Sequence, residues 1–382
     1  MRNALFSVQI MRRTPALIIG GGPAGAAAAT ILARAGIEHL LIERTATTGD
    51  ALCGGFLSWR TLDSLKALEV DPDALNPAQL TTARLFVAGM VAAAPLPRPA
   101  RGVSRHRLDS VMVARAIASG ANVERGVDAR AWTPAGVRLH DGTDLAADAI
   151  FLATGKRDLR GAARPADAQE PDPSLGLRVR LGPAPALDRL VGSAIELHLF
   201  DRGYAGLNLQ EDGSGNLCLA VHRSRLTEAG GPEQLLDAIA AESPPLAERL
   251  AWRTGERIDA VANVPYGWRL RQGTPGMFRL GDQAGVIPSL AGEGMGIAIA
   301  SGIRAAQAYA RGGPGAAPGF QRQLARDLMR PLAMAGLIRS AAENPAAARW
   351  LVAIARRFPV TIDLAARLTR IDHSPIDVRA TA

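Results

Sequence analysis

LIIGGGPAGAAAA, Leu17 to Ala29, is the stretch from which the fold is read. The apolar run Ala16 to Ile19 reads as a buried parallel strand. It runs into Gly20, Gly22 and Gly25 in G-x-G-x-x-G spacing, and an alanine-rich helix follows at once. Gly20 permits the tight turn, Gly22 lets the backbone approach a pyrophosphate, and Gly25 lets helix and strand pack closely. The helix N-terminus adds free N–H groups and positive dipole for phosphates. A second apolar strand, His39 to Ile42, ends in Glu43, where a carboxylate can accept from a ribose 2′-hydroxyl. A 2′-phosphate would be repelled there despite the adjacent Arg44, which disfavours NADP at this site.

With 382 residues the chain can bury a large core in two lobes. The formal charge is +8, but the basic residues are almost all arginine, and Lys66 and Lys156 are the only lysines. No basic run with interleaved aromatics occurs, so no nucleic-acid partner is expected. Two cysteines, Cys53 and Cys218, give neither a disulfide framework nor metal spacing, and a cytoplasmic setting follows. The weakly apolar first residues lead to no cleavage site, so no signal peptide is expected, and Met11 is a candidate start beside Met1. The uncharged stretch Ala16 to Ala33 has the length of a membrane span, but its glycines and proline fit a phosphate loop better.

Further along, Cys53-Gly54-Gly55 forms a backbone-permissive turn, read equally well as a ligand rest or a simple loop. Thr81 to Ala94 reads as strand material closed by the prolines at Pro95 to Pro99. A helix starts near Arg105, and Trp132 to Leu145 reads as a hairpin around Asp141-Gly142, leading into the strand Ala149 to Leu152. Ala162 to Pro173 looks like a lobe crossover. Leu175 to Val221 is strand-rich and antiparallel, Pro232 to Trp252 helical, and Ala260 to Trp268 a return toward the first lobe. In Met277 to Ala310 a strand ends at Gly281-Asp282, and Gly292-Glu293-Gly294 precedes a helix apolar nearly all round, hence buried. Gly319 to Arg370 is helical and amphipathic, with arginines on one face. It packs on the body or touches a membrane or lipidic substrate.

GGGPAGAAAA with Glu43-Arg44, Arg105 with Leu108-Asp109, and GDQAGVIPSLAGEGMGIAIASG together resemble the FAD-dependent oxidoreductases of the aromatic hydroxylase class (group A flavin monooxygenases). Cys53-Gly54-Gly55 and the Gly-Glu-Gly loop point to its geranylgeranyl reductase and flavin halogenase branch. The resemblance implies an α/β fold. A Rossmann-like FAD-binding domain (parallel sheet plus antiparallel meander) would span 1–80, 101–165 and 265–315. An inserted antiparallel-sheet substrate domain would take 81–100 and 166–264, and C-terminal helices 316–382. It implies that Gly20, Gly22 and Gly25 hold the pyrophosphate, Glu43 the adenosine ribose, Arg105 the FAD chain, and Val127 the adenine. Asp282 would bind the ribityl hydroxyls, while Gly292 to Met295 donate to the flavin and Pro288 lies near its reactive edge. Pro23, Ala24, Arg44, Cys53, Gly54, Ala153, Thr154, Gly155, Gly281, Glu293 and Gly294 join them around the cofactor.

Many such hydroxylases carry an Asp-Gly motif tied to NAD(P)H use. Here Thr154-Gly155 stands in its place, so electrons come from NAD(P)H binding transiently or from a reductase partner. The halogenase-type Trp-x-Trp-x-x-Ile motif is absent, and neither lysine matches the halogenase lysine. The leading expectation is a monooxygenase hydroxylating an apolar aromatic or polyketide-like small molecule through a flavin hydroperoxide. Tyr204, Asn208 and Tyr266 would be substrate contacts, and Cys53 and Tyr204 catalytic candidates. Two alternatives remain open: a prenyl (geranylgeranyl-type) double-bond reductase, and a hydroxylase of a protein-bound tryptophan during quinone cofactor maturation.

Overall fold

The computed structural model describes residues 12–133, 136–165 and 170–371. Met1 and Met11, and parts of the expected hairpin and crossover, lie outside them. The glycine motif sits at the centre of a seven-stranded sheet. Its first strand, Arg12–Ile19, runs parallel to Leu40–Glu43 on one side and to Asp144–Leu152 on the other. Asn122–Arg125 extends the sheet beyond Leu40–Glu43, and Met277–Arg279 pairs parallel with the end of Asp144–Leu152. The other end of that strand continues into the antiparallel meander Gly136–Leu139 and Ala129–Thr133. Leu17 and Ile18 are fully buried, as expected of a parallel strand covered on both faces.

Helix Pro23–Arg34 is made almost wholly of small residues, which lets helix Gly294–Gly312 come very close to it. At Gly302 an added Cβ would stand 2.2 Å from the carbonyl oxygen of Ala24. Two regions far apart in sequence are thereby locked into one layer over the sheet. Beneath them Phe151 stacks on Phe278 at 4.8 Å, with Tyr309 edge-on to both.

The second sheet has eight strands: Asp259–Val264, Ser174–Leu181, Gly215–His222, Gly203–Leu209, Ala194–Phe200, Leu80–Val87, Met90–Gly102 and Phe56–Leu57. Its pairings are antiparallel except Ala194–Phe200 with Leu80–Val87. Three expectations need correction here. Thr81 to Ala94 is two strands, because Ala88 and Gly89 both take positive φ and turn the chain back as a two-residue hairpin. The prolines do not close the strand, which runs to Gly102. Pairing jumps from Thr82–Pro95 to Leu80–Ala100, so Leu96 to Pro99 bulge out where a missing N–H costs nothing. Asp259–Val264 also stays in this lobe, as an edge strand against Ser174–Leu181.

Helices Ala317–Asp327, Met329–Ala342, Pro345–Arg357 and Val360–Leu368 are the last elements among the described residues. Ala342, Ala348, Val352 and Ala355 join Leu85, Val87, Leu199 and Tyr204 in one buried cluster, so the last helices close over the second sheet. Among the described residues no helix is long and apolar enough to cross a membrane.

Candidate active site

One cavity of about 1430 Å³ runs from the glycine motif to the C-terminal helices, between the two sheets. It exceeds the ~300–1,000 Å³ of an ordinary ligand pocket, which leaves room for a cofactor and a substrate.

At one end the backbone makes the wall. Gly20 has φ of +110°, and a Cβ there would stand 2.5 Å from the carbonyl of Ala153. At Gly25 a Cβ would overlap the carbonyl of Gly20 at 1.9 Å, so Gly25 serves helix–strand packing and lies outside the cavity lining. Helix Pro23–Arg34 begins at Gly22 with no side-chain cap, so its first N–H groups are free for a ligand. Gly20, Gly22, Pro23 and Ala24 line the cavity beside it. Glu43 is held by the loop it faces: one carboxylate oxygen accepts from Gly21 N–H at 2.8 Å, the other from Thr45. Arg44 and Val127 continue this wall.

Arg105 reaches in from helix Arg105–Ala118 and grips Asp109 with two hydrogen bonds of 2.9 and 2.7 Å. Burial works against its charge, but Asp109 outweighs that and holds the guanidinium above its ordinary value. Arg105 lies against Gly22, 3.3 Å from where a Cβ would be, so a fixed cation borders the phosphate loop.

At the far end of the motif pair, Gly281, Asp282, Gly292, Gly294 and Met295 line the cavity. Gly292 has φ of +63°, and a Cβ would press on the Phe56 ring at 2.8 Å. Helix Gly294–Gly312 likewise starts without a side-chain cap, so a second set of free N–H donors opens into the cavity. Ala153, Thr154 and Gly155 line the side between, and Cys53-Gly54 the wall opposite. Lys156, absent from the sequence-based site, also lines it, 3.3 Å from the Asp282 carboxylate, which raises the ammonium pKa.

Besides Gly25, three expected residues do not face the cavity. Glu293 is fully buried behind its loop, where it accepts from Ser58 at 3.1 Å and pairs with Arg370 at 3.2 Å. Burial pushes this carboxyl up while Arg370 and Ser58 pull it back, a structural pairing that leaves the neighbouring Gly292, Gly294 and Met295 to line the cavity. Pro288 is buried and does not line the cavity; its neighbour Ser289 does. Asn208 is also buried, and its amide donates to the Gly54 carbonyl at 2.7 Å, so it props the Cys53-Gly54 loop.

Tyr204 and Tyr266 do line the cavity, and both share hydrogen bonds with Ser289, at 2.6 and 2.9 Å. Around them the wall is apolar: Leu85, Leu197, Leu199, Val264, Ile338, Leu351 and Ile362. Cys218 lies here too, its thiol donating to the Cys53 carbonyl, and burial pushes its pKa up to about 12.

Two uncapped helix starts, a half-buried arginine and Asp282 on one cavity fit an extended dinucleotide carrying two phosphates and a polyhydroxyl chain. Residues 13–160 match a family model described as an FAD binding domain. No curated protein matches the chain in sequence. A geranylgeranyl bacteriochlorophyll reductase-like protein from Thermoplasma acidophilum is 19% identical, with a TM-score of 0.72 over 94% of this chain and 100% of its own. PqsL from Pseudomonas aeruginosa, described as a probable FAD-dependent monooxygenase, is 16% identical, with a TM-score of 0.69 over 88% and 99%. A variant of the halogenase PltM in complex with FAD is 13% identical, with a TM-score of 0.70 over 93% and 86%. At these identities the solved structures show the shared fold.

Proposed function

We propose that the chain, whose residues 13–160 match an FAD binding domain, is an FAD-dependent monooxygenase hydroxylating an apolar aromatic or polyketide-like small molecule. The observation that carries this reading is the single cavity. Its polar end is a dinucleotide cradle, and its continuation, between the second sheet and the last helices, is apolar with a few hydroxyl groups. Bound FAD would supply the redox chemistry, taking up electrons and delivering them to oxygen.

The chain's own residues hold and shield. The Gly22 helix start and Arg105 would bind the pyrophosphate, Glu43 the adenosine ribose, and Asp282 the ribityl hydroxyls. Backbone N–H groups at Gly294 and Met295 would stabilise negative charge gathered on the flavin pyrimidine. Leu197, Leu199 and Val264 would exclude water from the reacting atoms. Electrons would come from NAD(P)H binding transiently or from a reductase partner. Trp350 is 72% exposed and Ile354 49% exposed, yet both line the cavity. They make an apolar rim through which a lipophilic substrate, or a membrane surface carrying one, would feed the site.

The test is single turnover of the reduced holoprotein with ¹⁸O₂ and a panel of lipophilic phenols. One labelled oxygen atom in a product supports the reading. Substrate-driven flavin reoxidation without O₂ counts against it and favours a double-bond reductase. That second reading rests on the same deep apolar extension and on the full-length likeness to the reductase-like fold.

A further inference from the structure

Three hydroxyl groups meet on the cavity wall, brought from two lobes. Tyr204 comes from strand Gly203–Leu209 in the second sheet, while Ser289 sits in the loop just before the Gly292 turn and Tyr266 in the segment after Asp259–Val264. The Ser289 oxygen stands between the phenols, 2.6 Å from Tyr204 and 2.9 Å from Tyr266. The Tyr204 oxygen also accepts the Leu290 N–H at 2.8 Å. A hydroxyl group has one hydrogen to give. Three hydroxyls joined by two hydrogen bonds therefore use two hydrogens, and one remains.

The direction of that last hydrogen follows from the surroundings. Leu290 already occupies an acceptor position of Tyr204, which favours Tyr204 as the donor to Ser289, although either oxygen of that pair can give the hydrogen. All three hydroxyl residues line the cavity, and Ser289 and Tyr266 are the more open of them, so the spare hydrogen is best placed there. Arg339 lies 4.9 Å from the centre of the Tyr266 ring and polarises that phenol toward donation. Burial keeps both phenols protonated, Tyr204 the more strongly, and each bears on the other's ionisation.

We propose that the Tyr204–Ser289–Tyr266 cluster is the substrate's polar anchor, donating one hydrogen bond to an oxygen acceptor on an otherwise apolar molecule. The substrate class is thus a keto or phenolic ring compound, and a bare hydrocarbon is disfavoured. Occupied by hydrocarbon, the site strands a desolvated donor, and a site built to hydrogen-bond an oxygen rejects the analogue lacking it. The inference rests on the reading of the apolar extension as the substrate site.

The test uses FAD-loaded protein and two probes of nearly equal shape, 1-tetralone and tetralin, titrated by the change in the oxidised flavin spectrum. The ketone is expected to bind about tenfold more tightly than the hydrocarbon. In the triple variant Tyr204→Phe/Ser289→Ala/Tyr266→Phe that ratio falls to about one, because tetralin no longer strands a donor and binds more tightly than to wild type, while the probe-free flavin spectrum is unchanged. A second measurement needs no variant: the carbonyl stretch of ¹³C-labelled 1-tetralone should move to lower frequency on binding wild-type protein. Equal affinity for both probes in wild type, or an unshifted carbonyl, means the third hydrogen closes on the other tyrosine, and the proposal falls. A ratio that survives in the triple variant also overturns it, as does an altered probe-free spectrum with the ratio intact, which would assign the hydroxyls to the flavin. If neither probe binds holoprotein, the substrate-site reading fails as well, so the two failures are told apart.

Discussion

Replacing Gly302 with alanine adds one methyl group to a helix, where alanine is otherwise favoured over glycine by ~1 kcal/mol. Here the outcome reverses. The new Cβ would stand 2.2 Å from the carbonyl oxygen of Ala24 and 3.1 Å from the Ala27 Cβ, so helices Pro23–Arg34 and Gly294–Gly312 must part by roughly 1 Å to reach ordinary contact. Overpacking of this kind costs about 1–3 kcal/mol. The displaced elements are the two that open uncapped N-termini onto the cavity. Loss of one charge-assisted bond to the cofactor, worth about 1.5–3 kcal/mol, weakens FAD binding about 10- to 150-fold. Urea unfolding of the apoprotein followed by circular dichroism reads the first effect, and flavin fluorescence titration the second. Gly319→Ala is the control: it is helical and exposed, a Cβ there meets nothing within 4 Å, and it should be neutral or stabilising by up to ~1 kcal/mol. If Gly302→Ala matches the control in stability and keeps FAD affinity within twofold, the close helix pairing is not what aligns the two ends of the cradle.

Arg105→Leu leaves the Asp109 carboxylate without its partner at the cavity wall and should cost about 1–3 kcal/mol. Adding Asp109→Leu should restore most of the unfolding midpoint while FAD affinity stays low, which separates structural from binding roles. Glu196 is fully buried; burial alone would raise its pKa, but hydrogen bonds from His198 and Arg249 hold it down to about 2. Its folded value lies below the unfolded one, so the stability it brings is complete above ~pH 4.5 and fades toward pH 2, a loss of about 3 kcal/mol that Glu196→Gln should flatten in acid unfolding curves. With its pKa near 12, Cys218 is thiolate in only about one molecule in 10⁴ at pH 8. Iodoacetamide should leave it unlabelled in folded protein and label it after unfolding, as read by peptide mass spectrometry.

The shape of the glycine turn was legible in sequence because backbone geometry there demands particular residues. Gly20 and Gly25 leave no room for a Cβ, so the glycine spacing reports a shape directly. Side-chain direction was harder. Glu293 lies between two glycines in a ligand-facing loop, yet its carboxylate turns inward because Arg370, at the far end of the chain, is buried behind it. Nothing local signals that partner. Ser289 escaped notice because a lone serine in a loop belongs to no pattern, and only tertiary structure sets two tyrosines beside it. The hairpin at Ala88-Gly89 was missed for a related reason: alanine at positive φ is uncommon, so the residue type argued against the turn that the strand pairing imposes.

The Cys53-Gly54-Gly55 loop joins these strands of argument. From sequence it could be a ligand rest or a simple connection. In the structure the second sheet supplies donors to two successive carbonyls: Asn216 and the Cys218 thiol to Cys53, and Asn208 to Gly54. Upstream, Arg178 from the same sheet binds both the carboxylate and the carbonyl of Asp50. Gly55 takes φ of +69°, and a Cβ there would meet the Val103 carbonyl at 2.9 Å, so the turn has little room to relax. A loop held only by its own turn would adjust to whatever lay against it. This one is tied at several points to the lobe whose other strands carry Tyr204 and the apolar wall. The glycine-motif end of the cavity and its apolar extension therefore share one partition that is tied to the second sheet.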